Sequence, residues 1–208
     1  MQSSTVTVAN PDSAEAATII VVGFEPFDQR SRNRSWEVVQ RLPPRPGLDT
    51  VMLPVNFSRI REAVRGLLER RPRALLLIGE ARRDVVSVEQ LALNILDSDR
   101  PDNAGRFAQS ESVVPGAPLT LWAPWDGHAL MKKMKAAGIP AGVSFHAGTY
   151  ACNAALYLAL QTAQPPTQVG FLHVPNHRWP FGPRLALLQR AAELGIEALL
   201  TKKTQQTI

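Results

Sequence analysis

Ala74-Leu75-Leu76-Leu77-Ile78 is apolar at every position and stops at Gly79. A run of that length reads as a strand buried on both faces, since a strand with one wet face alternates apolar and polar residues. Upstream, Thr18-Ile19-Ile20-Val21-Val22 before Gly23 repeats the pattern with β-branched residues that suit extended backbone. Between the two, Ser35 to Leu42 reads as a short helix stopped by Pro43-Pro44, and Val51 to Val55 as a strand. A second helix starts at Ser58, with Ile60, Val64, Leu67 and Leu68 near the helical period. Downstream, Val85 to Leu96 reads as extended and Asp97 to about Pro118 as a polar loop. Asp126 is placed to cap a helix ending at Gly138, and Ala141 to Phe145 is a further strand. Thr149 caps a helix reaching about Thr162, Val169 to Val174 is a strand, and a last helix spans roughly Arg184 to Leu194. Strands alternating with helices predict an α/β fold: one twisted, mostly parallel sheet with helices on both faces. The expected organisation is a disordered lead-in over residues 1–16 and a single domain over 17–208.

With 208 residues, 45% of them hydrophobic and 20% charged, the chain is long enough for one domain with a proper core. Its formal charge of +5 raises a nucleic-acid role, but the basic residues are scattered. Arg30, Arg32 and Arg34 are the densest group and face no aromatic ladder. Arg70, Arg71 and Arg73 fit a helix C-terminus, where cations complement the dipole. No nucleic-acid partner is expected. Cys152 is the single cysteine, which excludes an internal disulfide and a CxxC metal site. No apolar run approaches the roughly 20 residues that cross a bilayer. Met1 to Ala16 also lacks the basic-then-apolar order of a signal peptide. The expected setting is reducing and cytoplasmic, with no membrane contact.

Three residues are candidates for chemistry. Cys152 falls in the first turn of the helix predicted after Thr149, where free N–H groups and the dipole favour a thiolate. The competing reading is an inert buried thiol. His173 closes a strand just before Pro175, at the kind of strand end where open α/β sheets place ligands, so it suits proton transfer. A hydrogen-bonded core histidine reads equally well. Of the other histidines, His128 is expected on an exposed helix, His177 in a loop, and His146 close to Cys152. Glu89 lies in a largely apolar segment, and a buried glutamate there needs a cationic or hydrogen-bonding partner. Orienting a histidine is one use for it; an edge glutamate facing water is the other reading.

Taken with their neighbours, these residues fall in six words. They are Gly23-Phe24-Glu25-Pro26-Phe27, Ser35-Trp36-Glu37-Val38-Val39, Glu89-Gln90-Leu91-Ala92-Leu93-Asn94, Pro101-Asp102-Asn103-Ala104-Gly105, Ala147-Gly148-Thr149-Tyr150-Ala151-Cys152-Asn153 and Phe171-Leu172-His173-Val174-Pro175. In that order and spread, the chain resembles the pyroglutamyl peptidase I (pyrrolidone-carboxylate peptidase) family, with little likeness after Pro175. The resemblance implies Cys152 as nucleophile, His173 as base and Glu89 as the group that orients it. It implies a flat apolar pocket for the pyroglutamyl lactam formed by Phe24, Phe27 and Ala151, with hydrogen bonds from the backbone near Glu80, where the family has Gln. The implied reaction removes an N-terminal pyroglutamyl residue through a thioester, with no metal or cofactor. The implied partners are a peptide with a blocked N-terminus and, in assembly, copies of the chain as a dimer or tetramer.

The chain departs from the family pattern near these residues. Phe27-Asp28-Gln29 stands for Phe-Gly-Gly, and Ala81-Arg82-Arg83-Asp84 replaces an Ala-Gly-Gly-Arg loop, so both loops are expected to change shape. Ala154 stands where the family commonly has His. Asp99 stands where the family has an arginine that helps hold the oxyanion, with Arg100 beside it. Two alternatives therefore stay open: a hydrolase of the same fold acting on another N-blocked peptide or small amide, and a binding protein with a decayed site.

Overall fold

Residues 18–177 and 183–201, the part of the chain that the computed structural model describes, alternate strands and helices except between 74 and 122, where four strands follow one another. The expected lead-in at 1–16 and most of the proline-rich stretch 179–183 lie outside the described residues. In chain order the elements begin β1 (Ile19–Phe24), α1 (Arg34–Val39), β2 (Leu48–Leu53), α2 (Ile60–Glu69), β3 (Ala74–Ala81), β4 (Val86–Glu89) and β5 (Leu91–Leu93). They continue with β6 (Thr120–Trp122), α3 (Gly127–Ala136), β7 (Ala141–Ser144), α4 (Ala151–Thr162), β8 (Gln168–Pro175) and α5 (Leu185–Thr201).

The unbroken apolar runs have a direct structural reading. Successive side chains of a strand point to opposite faces, and here both faces are covered. In β1, Ile20, Val22 and Phe24 enter one core while Ile19 and Val21 enter the other. In β3, Leu75 and Leu77 take the first side and Ala74, Leu76 and Ile78 the second. The first core is closed by α2 and α4, the second by α1, α3 and α5. Each large aliphatic side chain buried this way contributes roughly 2 kcal/mol. A strand with only one covered face could not use them all.

The six main strands lie in the order β2-β1-β3-β8-β4-β7. All neighbouring pairs are parallel except β4 with β8. The sheet is therefore mostly parallel, with β4 and β7 reversed at one side. This order seats β8, late in the chain, between β3 and β4, which are consecutive.

Several boundaries differ from the sequence reading, each for a contact. The extended segment 85–96 divides at Gln90, whose N–H donates to Ser144 O and whose carbonyl accepts from Ala123 N. Beyond that point the chain leaves the main sheet, and β5 pairs antiparallel with β6, a strand not foreseen. Strand β2 ends at Leu53, two residues short of the expected Val55. Thr149 does not cap α4; its hydroxyl donates to Asp97 O at 2.8 Å, and Tyr150 is the N-cap without a side-chain bond. Helix α5 runs through Gly195 to Thr201; that glycine gives room to neighbours, since a Cβ there would press Leu172 and Leu76 at 3.2 Å, and does not end the helix. Asp126, in contrast, caps α3 as expected, accepting from Ala129 N at 2.9 Å.

Candidate active site

Strand β3 does not stop at Gly79 but passes through it to Ala81, and the reason lies above the glycine. A Cβ at position 79 would sit 2.8 Å from Cys152 Sγ, 2.8 Å from Phe171 Cζ and 3.0 Å from His173 Cδ2. Real Cβ atoms do not come that close. One missing methyl group thus makes the floor on which the thiol and the imidazole meet. It also fixes their separation: two atoms each within 3.0 Å of one point are no more than about 6 Å apart. Gly79→Ala is expected to overpack this floor, at about 2 kcal/mol, which for a domain of this size lowers the melting temperature by about 4–8 °C. Gly66→Ala on α2, where nothing lies within 4 Å, is the control and is expected to leave stability unchanged or slightly raised in the same melting experiment.

Cys152 arrives from the other direction. It is the second residue of α4, whose first turn lies over the C-terminal ends of β3 and β8, and it is partly exposed. Burial, then the carboxylates of Glu80 and Glu89, push its thiol up to about 12, against the opposite pull of Arg83 and of its own backbone N–H. This corrects the expectation of a thiolate favoured by the helix N-terminus. The helix effect is present but smaller than desolvation next to two carboxylates.

Sheet register brings up the third group. Ser87 of β4 opposes His173 of β8, and Glu89 opposes Phe171. Glu89 is thus the diagonal neighbour of His173 on the same face, within reach of a long side chain. Its Oε1 lies 2.8 Å from His173 Nδ1, and both residues are buried. Glu89 is fully enclosed, so the reading of a water-facing edge glutamate is overturned. Burial acts to raise its carboxyl, but the His173 hydrogen bond and charge, the Ser144 hydroxyl and Arg83 outweigh that and hold it below the usual range. With Nδ1 facing Glu89, the imidazole's other nitrogen, Nε2, is bonded to the carbon that lies over Gly79 with the thiol.

These groups open into a cavity of about 500 Å³. Cys152, His173, Phe24, Phe27, Glu80 and Ala151 all line it, while Glu89 stands behind His173 rather than on the wall. Phe24 and Ala151 are buried and Phe27 half-buried, so the apolar part of the wall is preformed. Glu80 lines the cavity, but its side chain points away from it. Its carboxylate turns to the α1 side, accepting from Arg34 N at 2.6 Å and pairing with Arg30, whose guanidinium lies 4.5 Å from the centre of the Phe27 ring.

The two altered loops behave differently. Asp28 and Gln29 hold φ of 58° and 54°, the left-handed backbone that glycine takes freely and other residues at about 1–2 kcal/mol each. That loop keeps a shape suited to glycine. In the other, Arg83 N donates to Ala81 O in a tight turn, and neither Arg82 nor Arg83 has positive φ. The Asp99 side chain is 90% exposed and sits 3.5 Å from Arg100 Nε, so its charge faces a cation and solvent at the cavity mouth. His146 also lines the cavity, its Nδ1 accepting from Gly148 N at 3.1 Å, whereas His128 and His177 are exposed. Arg83, which sequence reasoning passed over, is 3.2 Å from Glu89 Oε1. The demand of a buried glutamate for a cation was the one signal for it. Among the described residues, no cluster of three or more His, Cys, Asp or Glu is arranged to hold a metal ion, and no helix is long and apolar enough to cross a membrane.

A thiol, an imidazole and an enclosed carboxylate at one end of a doubly covered, mostly parallel sheet make up an α/β protein of the cysteine peptidase class. The pyroglutamyl peptidase family model matches residues 17–179, and the chain belongs to that family. The pyrrolidone-carboxylate peptidase of Thermococcus kodakarensis is 39% identical over 202 residues, spanning 90% of this chain and 98% of that protein. Among solved structures, the pyrrolidone carboxyl peptidase of Thermus thermophilus superposes with a TM-score of 0.82 at 37% identity, covering 87% of this chain and all of that one. The pyroglutamyl peptidase I of Bacillus amyloliquefaciens gives 0.82 at 25% identity, covering 89% of this chain and 96% of that one.

Proposed function

We propose that this chain is a cysteine omega-peptidase that removes an N-terminal pyroglutamyl residue from peptides, with Cys152 as nucleophile, His173 as base and Glu89 as the residue that orients His173. The observation that carries the reading is the meeting of Cys152 Sγ and the His173 ring over Gly79, with Glu89 2.8 Å behind the ring, inside a preformed cavity. In this reading His173 Nε2 takes the thiol proton as sulfur attacks the pyroglutamyl carbonyl. The tetrahedral oxyanion meets the Cys152 backbone N–H, free of an intrahelical partner in the first turn of α4, with Arg100 a cation of the same cavity wall. The C–N bond then breaks, His173 returns its proton to the departing amine, and a thioester remains. Water, deprotonated by His173, hydrolyses the thioester and frees the thiol.

The lactam ring is flat and neutral, which suits the wall formed by Phe24, Phe27 and Ala151. A site that pairs the lactam N–H and C=O rejects analogues that lack them, because its own polar groups would be left unpaired. The test is turnover of a pyroglutamyl amide reporter beside prolyl and glutamyl amides. Release from the pyroglutamyl compound alone is expected, by a factor of at least about 10⁴ over prolyl. Turnover of an N-acetylated amide in the same series, without release from the pyroglutamyl compound, would move the reading to a different substrate. No turnover of any of them would support the decayed binding site. A free thiol as nucleophile also fits a reducing, cytoplasmic setting, and the family resemblance supports assembly as a dimer or tetramer.

A further inference from the structure

We propose that Arg83 is a positioning residue of this site: its guanidinium holds Glu89 Oε1 in place behind His173 and fixes a positive charge beside the thiol. The inference rests on the reading of Cys152, His173 and Glu89 as the reacting set. Arg83 follows the tight turn closed on Ala81 O, which aims its side chain across the ends of β4 and β7. Nη1 donates to Ser87 Oγ at 3.1 Å and to Ser144 Oγ at 2.9 Å. Nη2 donates to His146 O at 2.6 Å and lies 3.2 Å from Glu89 Oε1. One planar group therefore ties β4, β7 and the segment leading into α4, and every tether constrains where Glu89 stands. A lysine could supply the charge but not this fork of donors.

Arg83 also lines the cavity that Cys152 lines, with its side chain 28% exposed. The charged and titratable groups around the thiol are Glu80 on β3, Glu89 on β4, His173 on β8, His146 and Tyr150 before α4, Asp97 on the cavity wall, and Arg100 with Asp99 and Asp28 at the mouth. Glu80 and Glu89 work against a thiolate, and Arg83 works for it. The same side chain thus serves both ends of the proton relay.

The test compares wild type, Arg83→Gln and Arg83→Lys by two readouts: reporter turnover, and the rate of Cys152 alkylation by iodoacetamide at pH 8. Arg83→Gln is expected to lower kcat about 30-fold with KM within about threefold, since the loss falls on the transition state. Its alkylation is expected to slow about tenfold, the effect of one unit in the thiol's titration. Arg83→Lys is expected to bring alkylation back to within about threefold of wild type while kcat stays depressed, separating charge from the donor fork. Unchanged kcat and alkylation in Arg83→Gln would overturn the proposal, as would a raised KM at constant kcat, which marks a substrate contact instead. If Arg83→Gln does not fold, the Arg83→Lys kcat decides alone: wild-type kcat there removes the positioning role. If wild type does not turn over the reporter, the substrate reading fails while the alkylation comparison still decides the place of Arg83.

Discussion

Cys152→Ala is expected to reduce hydrolysis of a pyroglutamyl amide to background, a loss of about 10⁵-fold or more, with the fold intact. The size of the effect follows from the reaction proposed. Cys152 is the only thiol of the chain, and removing a covalent nucleophile takes away nearly all of the rate that its partners support, because they act as one unit. The substitution removes only a sulfur atom at the cavity wall and leaves Ala151, Asn153 and the buried face of α4 untouched. The variant should therefore melt within a few degrees of wild type and still bind the uncleaved amide in calorimetry. Retained turnover would end the proposed chemistry. Lost binding together with a lowered melting temperature would mean that the substitution had acted through the fold.

The resting thiol gives this prediction a pH dependence. A thiol pushed up to about 12 is almost wholly protonated at pH 7. Its titration lies above the ordinary thiol range, so the protonated form dominates at every pH below about 12 and the thiolate grows as pH rises. Alkylation of the free enzyme should accordingly climb about tenfold per pH unit from pH 6 to 9 without a plateau. In the proposed reaction the reactive sulfur would then arise as the proton passes to His173 in the occupied site. A flat, fast alkylation rate at pH 6 would instead mean a preformed thiolate–imidazolium pair.

Much of the fold was legible because burial on two faces writes itself directly into sequence. The runs at Ile19–Val22 and Ala74–Ile78 have no polar position to mark a wet side, and that pattern alone calls for a covered parallel sheet. The site was legible only in pieces. Cys152 announced itself as a helix-start thiol, but the direction of its titration depends on burial and then on Glu80 and Glu89, which reach it from other strands. His173 and Glu89 are 84 residues apart and meet only because β8 enters the sheet between β3 and β4. No local pattern encodes that insertion. Gly79 and Gly195 illustrate the same limit, since a glycine that ends an element and one that admits a neighbour look alike in sequence. Arg83 was obscured for another reason: its tethers, Ser87, Ser144 and the His146 carbonyl, come from two strands and a loop spread along the chain.

Glu89→Gln is expected to lower kcat on the order of a thousandfold while changing KM little. Oε1 of the carboxylate accepts from His173 and faces Arg83, so a glutamine that keeps its oxygen there preserves both contacts and removes only the charge. What is lost is the stabilisation of the imidazolium that would form as His173 takes the thiol proton. The substitution also has a signature that activity does not carry. Glu89 is held below the usual carboxylate range by its partners, against burial, so the folded state favours its ionised form. Its stabilising contribution is full above the ordinary titration near 4.5 and is lost as pH falls through the lower, folded-state titration. Wild type should thus lose melting temperature below about pH 4.5 more steeply than Glu89→Gln, which has no proton to bind at that position. Parallel acid melting curves for the two proteins would show that the carboxylate is not ionised and paired in the folded state, and would remove Glu89 as the group that orients His173. Glu89→Ala should be worse on every measure, since it leaves Arg83 and a buried imidazole facing an empty space, with a stability loss of about 3–5 kcal/mol.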